Sequence, residues 1–367
     1  MGDAGWAESA VFRARVRGCL LGGAIGDALG YPVEALSLAD IRARYGPSGI
    51  TELVRDQVGQ VGRISDDTQM TLFTAEGWQR AIADARSRGV PVGGGTAHVQ
   101  EAYLRWLDTQ QHEDPPPAHG VAHRTGTLRE ELWLYDRRAP GLACLSGLRE
   151  GHVPDPNGPL DGTPGPLNPG SKGCGSVMRS APFGFTGGTA QHAFEAAARS
   201  ARITHGHPTG YYAAGALAAM VRHLTDGESL PGSVLRVLGL LTRYPGHRET
   251  SVALRGAVDL AAQGTPTPEK VESLGGGWVA EEALAIAVYA ALVHPGAHDP
   301  VGDTARALLL AVNHSGDSDS TGAICGNLLG TLHGDARLPQ HWLTRIEGRA
   351  VIALVADDLA AEVHPTT

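Results

Sequence analysis

Most of this chain follows a helical pattern, in which apolar residues recur three and four positions apart within segments rich in Ala and Leu. No long stretch alternates apolar and polar residues as a half-buried strand does. The segments with the helical pattern are residues 66–88, 97–110, 188–203, 208–225, 232–243, 250–263, 279–293, 302–313, 321–333 and 341–362. Short connections rich in Gly and Pro separate them. The sequence therefore predicts an all-α fold, a compact orthogonal helical bundle.

The chain of 367 residues is long enough for one large domain or two smaller ones. It contains neither an internal repeat nor a clean linker, so we predict a single domain over residues 1–367 with a core of about 11–355. Two stretches dense in Pro and Gly, residues 114–127 and 151–171, depart from the helical pattern and are predicted surface loops. Plain insertions and a substrate-binding lip both remain open for them.

The apolar stretch that follows three arginines near the start of the chain resembles a short signal peptide. Asp27 interrupts this stretch, which is also shorter than the ~20 residues that a membrane span needs. The run from Gly18 to Gly30 is instead rich in Gly and Ala. It predicts a helix packed tightly inside the bundle.

The net charge of −9 leaves no basic surplus to hold phosphate backbones, so nucleic acid is not an expected partner. No membrane association is expected either. The four cysteines are widely spaced and form no C-x-x-C pair, which argues against a zinc site or a disulfide framework. We expect a monomer in a reducing cytoplasm.

Two acidic clusters about 250 residues apart, Ser65–Thr68 and Gly316–Thr321, each combine two carboxylates with hydroxyl groups where a helix is predicted to begin. Oxygen donors of this kind suit Mg²⁺, Mn²⁺ or Ca²⁺ rather than a soft metal. Each cluster also has a purely structural interpretation, because a serine caps a helix and acids are favourable at a helix N-terminus. The presence of two such clusters predicts the halves of one divided metal site.

Five motifs occur in an order that is specific even though each alone is weak. They are Gly18–Glu34, Ser65–Met70, Gly173–Arg179, Thr204–Pro208 and Gly316–Ala323. In this order the motifs resemble the ADP-ribosylglycohydrolase family, and the resemblance covers about residues 11–355.

The resemblance implies an all-α fold with two divalent cations, Mg²⁺ or Mn²⁺, at the base of a cleft. Carried over position by position, the implied metal ligands are Ser65, Asp66 and Asp67 from the first cluster and Asp317, Asp319 and Ser320 from the second. The family more often has Thr where Ser65 and Ser320 stand, although a serine hydroxyl can still coordinate a cation.

The implied reaction is hydrolysis of an ADP-ribosyl bond. Two neighbouring cations can activate a water and hold the two cis hydroxyls of a ribose, and cleavage would pass through an oxocarbenium-like state. Glu34, Asp67 and Asp319 are the candidate catalytic residues. For Glu34 an exposed loop acid is the structural alternative.

The resemblance also implies residues that bind the rest of ADP-ribose, namely Gly173, Gly175, Ser176, Met178, His205 and Trp278. Glycines allow a backbone to approach phosphate closely. The family commonly has Asn where Cys174 stands, so an amide contact is lost or replaced here. Trp278 stands where relatives often carry Tyr; packing in the core is as good an interpretation as stacking on an arginine guanidinium.

Three functional hypotheses follow. The first is a metal-dependent hydrolase of an ADP-ribosylated protein or a small ADP-ribose conjugate, with arginine-linked ADP-ribose favoured over serine-linked or O-acetyl-ADP-ribose. The second is a family member that binds ADP-ribose, or has a structural role, without turnover. The third is an unrelated all-α Mg²⁺ enzyme acting on diphosphates, although Met70 stands where the D-D-x-x-D motif of such enzymes has its third Asp.

Overall fold

The fold is known from a computed structural model that describes residues 3–294 and 298–364. Within these ranges the secondary structure consists of α-helices and short 3₁₀ turns, with only two isolated β-bridges. The helices are α1 (Asp3–Gly30), α2 (Leu38–Tyr45), α3 (Asp66–Ser87), α4 (Thr96–Gln111), α5 (Leu142–Glu150), α6 (Ala190–Ala201), α7 (Pro208–Thr225), α8 (Leu230–Leu241), α9 (Arg248–Ala261), α10 (Pro268–Glu272), α11 (Ala280–Val293), α12 (Pro300–Val312), α13 (Ser318–His333), α14 (Gln340–Leu343) and α15 (Arg349–Val363). The all-α prediction is confirmed.

The prediction of one helix over residues 341–362 was wrong, because α14 and α15 are separate helices. The chain turns at Gly348, whose φ of +64° is a left-handed conformation that favours glycine. The turn is anchored where the Glu347 N–H donates to the Gly62 carbonyl at 2.9 Å. Three short helices, α2, α5 and α10, were missed because they have too few turns to show a clear period. Residues 114–127 and 151–171 contain no α-helix, as predicted.

Helices α1 and α13 cross at very short range through facing glycines. A Cβ added to Gly26 would lie 1.9 Å from the Gly322 carbonyl oxygen, and one added to Gly22 would lie 2.4 Å from the Gly326 carbonyl oxygen. Only glycine permits this approach. Residues 18–30 are all buried, which confirms the prediction of a buried small-residue helix.

This crossing determines where the second acidic cluster lies. A Cβ on Gly30, the last residue of α1, would be 2.2 Å from the carbonyl oxygen of Ser318, the first residue of α13. The segment after α1 is attached to the same point, because the Ala35 N–H donates to the Gly316 carbonyl at 2.9 Å. The packing of α1 on α13 therefore brings Glu34 beside Asp317.

None of the helices in residues 3–294 and 298–364 combines the length and apolar character that crossing a membrane requires.

Candidate active site

Asp27 positions the first acidic cluster from inside α1. Its carboxylate is fully buried and accepts hydrogen bonds from the Ser65 N–H at 2.9 Å and from the Thr68 N–H at 3.0 Å. The Thr68 hydroxyl donates to it as well. Asp27 thus satisfies two backbone donors at the start of α3 and ties that helix to α1. Sequence reasoning treated Asp27 only as a break in an apolar run, although an acid buried in such a run is itself a signal of a polar partner.

Ser65 caps α3, as its structural interpretation predicted. Its Oγ accepts a hydrogen bond from the Asp67 N–H at 3.2 Å and also lies 3.3 Å from Asp67 Oδ2. Ser65 is buried, so its hydroxyl faces the acidic cluster rather than solvent. Capping and proximity to the carboxylates are therefore compatible.

Asp66 and Asp67 lie in the first turn of α3, and both are buried. Asp66 Oδ2 accepts a long hydrogen bond from the Gly141 N–H at 3.4 Å. Asp67 Oδ1 has no hydrogen-bond partner among the described residues, although it is inaccessible to solvent. Burial raises the pKa of both carboxyls well above the ordinary range, and neighbouring acids add to the shift. A buried carboxylate oxygen without a donor is a position where a cation is favourable.

The second cluster opens α13. Asp317 caps this helix through a 3.3 Å hydrogen bond from the Ser320 N–H to its Oδ1, and its Oδ2 lies 2.7 Å from Cys174 Sγ. The Asp319 carboxylate accepts a second hydrogen bond from the same Ser320 N–H at 3.1 Å. Asp317, Asp319 and Ser320 are all buried.

The two clusters and Glu34 share one electrostatic environment. The pKa of Asp319 is raised well above its usual value by burial, and the charges of Glu34, Asp67 and Asp317 raise it further. The pKa of Glu34 is raised to about 7 by burial and by Asp317 and Asp27. Glu34 is therefore a half-buried member of the acidic group rather than an exposed loop acid.

The donor set of this group fits divalent cations. Its carboxylates provide hard oxygen donors, and Asp67 Oδ1 has no hydrogen-bond partner among the described residues. The six carboxylates are Asp27, Glu34, Asp66, Asp67, Asp317 and Asp319. As the side chains stand, no three His, Cys, Asp or Glu residues in the described ranges are arranged to hold a metal ion.

A pH dependence of stability follows from these raised pKa values. Glu34 has a folded-state pKa of about 7 against an ordinary value of 4.5, so the folded state holds more protons between these two pH values. The free energy of unfolding should therefore fall as pH rises through this window. We expect the melting temperature in EDTA to decrease by several degrees between pH 5 and pH 8. Scanning calorimetry of the wild type and Glu34→Gln should show a flatter profile for the variant, and a melting temperature that rises over this range would contradict the assignment.

The glycine loop, residues 173–178, contacts Asp317 through Cys174. Hydrogen bonds within the loop and to Trp278 and Gly210 hold it in place. The Cys174 N–H donates to the Trp278 carbonyl at 3.1 Å. The Ser176 hydroxyl lies 3.0 Å from the Gly173 carbonyl and 2.9 Å from the Gly210 carbonyl. The Ser176 N–H also donates to Gly173. Ser176 therefore shapes the loop, and its role in substrate binding stays a prediction.

His205 packs against the glycines of the loop, and Met178 is the last residue of the loop. His205 is buried, its Nδ1 lies 2.8 Å from the Thr204 hydroxyl, and a Cβ on Gly173 would lie 3.3 Å from its Nε2. Burial and the nearby Arg179 lower the pKa of His205 to about 3, so the imidazole is neutral. Buried Met178 joins α3 to α13, because its carbonyl accepts from Thr71 at 3.3 Å and its Sδ lies 3.8 Å from Ser320 Oγ. Substrate contacts of His205 and Met178 stay predictions.

Trp278 lies at the edge of the site and not in the core. It is 47% exposed. The two residues before it contact the second cluster, because the Asp317 N–H donates to the Gly276 carbonyl at 2.8 Å and a Cβ on Gly277 would lie 3.3 Å from the Asp317 carbonyl oxygen. The backbone of residues 276–278 therefore lies beside Asp317 and Cys174, and the indole is exposed near Gly276.

Known proteins that resemble this chain point to one family. The family model described as ADP-ribosylglycohydrolase matches residues 8–367. The ADP-ribosyl-[dinitrogen reductase] glycohydrolase of Rhodospirillum rubrum is 26% identical over 91% of this chain and 90% of its own length. The ADP-ribosylhydrolase ARH3 of Bos taurus is 25% identical over 98% and 94%. A solved structure described as an ADP-ribosylglycohydrolase-related protein complex has the same fold, with a TM-score of 0.62 and 24% identity over 96% of this chain and 99% of that chain. The chain belongs to the ADP-ribosylglycohydrolase family.

Proposed function

We propose that this protein is a divalent-metal-dependent hydrolase that cleaves the glycosidic bond between ADP-ribose and a protein side chain. The observation that carries the proposal is the convergence of two acidic clusters and Glu34 beneath the glycine loop. Family membership supports hydrolysis of an ADP-ribosyl bond. The metal dependence rests on the buried oxygen donors, above all the unpartnered Asp67 Oδ1.

Six residues would hold the cations, namely Ser65, Asp66, Asp67, Asp317, Asp319 and Ser320. Bound Mg²⁺ or Mn²⁺ supplies an activated water and a clamp for neighbouring ribose hydroxyls. The protein contributes the rest of the chemistry. Glu34, a half-buried carboxylate beside Asp317, is suited to accept a proton from the attacking water. The surrounding carboxylates stabilise positive charge that develops on the ribose ring.

The glycine loop lies beside the second cluster and is a suitable place for the diphosphate. Its exposed edge is formed by Gly173 and Cys174, whereas Gly175 is buried against Cys144 and His205. The absence of a side chain at Gly173 lets the backbone approach an anion closely.

Trp278 is the residue that we propose contacts the leaving side chain of the substrate. Its indole is exposed, on a backbone segment that contacts Asp317, and can stack on a guanidinium. We therefore propose that arginine-linked ADP-ribose is cleaved faster than serine-linked ADP-ribose.

Substitution of Trp278 tests this preference. Stacking worth roughly 0.5–2 kcal/mol predicts that Trp278→Ala lowers kcat/KM for the arginine-linked substrate several-fold to about thirtyfold. Binding of free ADP-ribose should hardly change. Equal losses on arginine- and serine-linked substrates would make Trp278 a structural residue, and faster cleavage of the serine linkage by the wild type would overturn the preference itself.

The activity is tested by measuring ADP-ribose release from arginine- and serine-modified peptides in Mg²⁺, Mn²⁺ or EDTA. We expect release with either cation and none in EDTA. Binding of ADP-ribose without any turnover would support a non-catalytic role. Full turnover in EDTA would refute the metal dependence while leaving the hydrolase assignment intact.

A further inference from the structure

Arg179 directly follows the glycine loop, and its guanidinium is buried. The residue is 1% exposed, and its Nη2 donates to the Thr204 hydroxyl oxygen at 2.6 Å. Its Cζ lies 4.4 Å from the centre of the Tyr103 ring, and its Nη1 lies 3.2 Å from Cys144 Sγ. A guanidinium carries donors and no acceptor. The Thr204 oxygen therefore accepts this hydrogen bond.

The proton of the Thr204 hydroxyl needs an acceptor inside the protein, because Thr204 is fully buried. His205 Nδ1 lies 2.8 Å from this hydroxyl and is the one acceptor that the described residues offer it. If Nδ1 carried a proton of its own, the hydroxyl proton would be buried without a partner, which is unfavourable. Nδ1 therefore accepts a hydrogen bond from Thr204.

The proton of His205 itself is then on Nε2. Burial and the charge of Arg179 lower the pKa of His205 to about 3, so the imidazole is neutral and has one N–H. Nε2 faces the glycine loop, since a Cβ would lie 3.3 Å from it on Gly173 and 3.4 Å from it on Gly175. Within residues 3–294 and 298–364, Nε2 has no hydrogen-bond partner. A donor without an acceptor thus lies against two backbone positions that lack side chains.

We propose that Arg179 and Thr204 are positioning residues that hold His205 as its Nε2–H tautomer, so that the imidazole donates a hydrogen bond to an anionic oxygen of the substrate. This inference rests on the proposed function, which places the diphosphate at the glycine loop. The tautomer decides the sign of the interaction. An Nε2–H group attracts an anionic oxygen, whereas the Nδ1–H tautomer would present a lone pair at Nε2 and repel the same oxygen.

The tautomer is measured by ¹⁵N NMR of the full-length protein labelled at histidine, without ligand at pH 8, with His205→Ala to assign the signal. We expect the Nε2–H form in the wild type. Thr204→Val removes the hydroxyl and keeps the branched shape, so Nδ1 loses its donor and the Nδ1–H form should become detectable. Thr204→Ser is the matched control, because it keeps the hydroxyl and should keep the wild-type spectrum.

Binding of ADP-ribose gives the functional measurement. Calorimetric titration should show a Kd raised about tenfold in Thr204→Val and changed by less than about threefold in Thr204→Ser. Saturation with ADP-ribose should also shift the Nε2 signal of the wild type. In the His205→Ala background, Thr204→Val should cause no further loss of affinity, because Thr204 acts through the imidazole. Equal losses in both backgrounds would make Thr204 a structural residue and overturn the inference.

Two spectroscopic results would also overturn the inference. One is an Nδ1–H tautomer in the ligand-free wild type, and the other is an Nε2 signal that does not move when ADP-ribose saturates the protein. Failure of the wild type to bind ADP-ribose at all would instead refute the proposed function, on which the ligand-free tautomer does not depend. Native circular dichroism of Thr204→Val excludes misfolding as the cause of its lower affinity.

Discussion

Replacement of Asp319 by Ala is expected to lower kcat/KM for ADP-ribose release by about 10²- to 10³-fold, because cations contribute several kcal/mol to such a transition state and each ~1.4 kcal/mol is a factor of ten. The same loss is expected for Asp67→Ala in the other cluster. The measurement is release of ADP-ribose from an arginine-modified peptide at saturating Mn²⁺. Near-wild-type turnover by either variant would remove that cluster from the active site.

Folding should survive these substitutions. Asp67 and Asp319 are buried beside other acids, and burial together with those neighbours raises their pKa values. Removing one carboxyl therefore relieves repulsion in the metal-free protein, so we expect no decrease in its free energy of unfolding at pH 8. Asp259→Asn on the exposed face of α9 is the matched control and should leave both activity and stability unchanged.

Replacement of Gly26 by Leu is expected to have the largest effect on stability. The added side chain would start 1.9 Å from the Gly322 carbonyl oxygen, and backbone cannot move aside as a flexible side chain can. Either α1 separates from α13 or the variant fails to fold. We expect a loss of about 4 kcal/mol or more in the free energy of unfolding measured in urea, a large share of the ~5–15 kcal/mol of a typical domain.

The control for Gly26 is a glycine within a helix that has open space around it. A Cβ on Gly239 in α8 would meet no atom within 4 Å. Gly239→Ala should therefore raise the free energy of unfolding by about 0.5–1 kcal/mol through its helical preference. If Gly26→Leu unfolds at the same urea concentration as the wild type, the close crossing of α1 and α13 does not stabilise the fold.

The sequence pattern was sufficient for the long helices, because segments rich in Ala and Leu with apolar residues three and four positions apart extend over several turns. It failed where a tertiary contact determines the backbone. The break between α14 and α15 depends on Gly348 and on a hydrogen bond to Gly62, which is remote in sequence. The short helices α2 and α5 have only two or three turns each, too few to show a period.

The acidic residues of the candidate site could be identified from the sequence, but the groups that position them could not. Ser65, Asp66 and Asp317 stand out because acids and hydroxyls rarely gather in an apolar chain without a cation or a cap. Asp27 was missed because its partners are backbone N–H groups of α3, which no side-chain pattern reveals. The contact of Cys174 with Asp317 was likewise invisible, since it joins residues far apart in the chain.

We propose above all that two acidic clusters about 250 residues apart form one divided cation site. Equilibrium binding of Mn²⁺, read from the electron paramagnetic resonance of the free ion, tests it most directly in the wild type, Asp67→Asn and Asp319→Asn. We expect about two Mn²⁺ per chain for the wild type. We also expect that a substitution in either cluster alone weakens the binding of both ions. Unchanged stoichiometry and affinity in one of the two variants would show that its cluster is not part of the site.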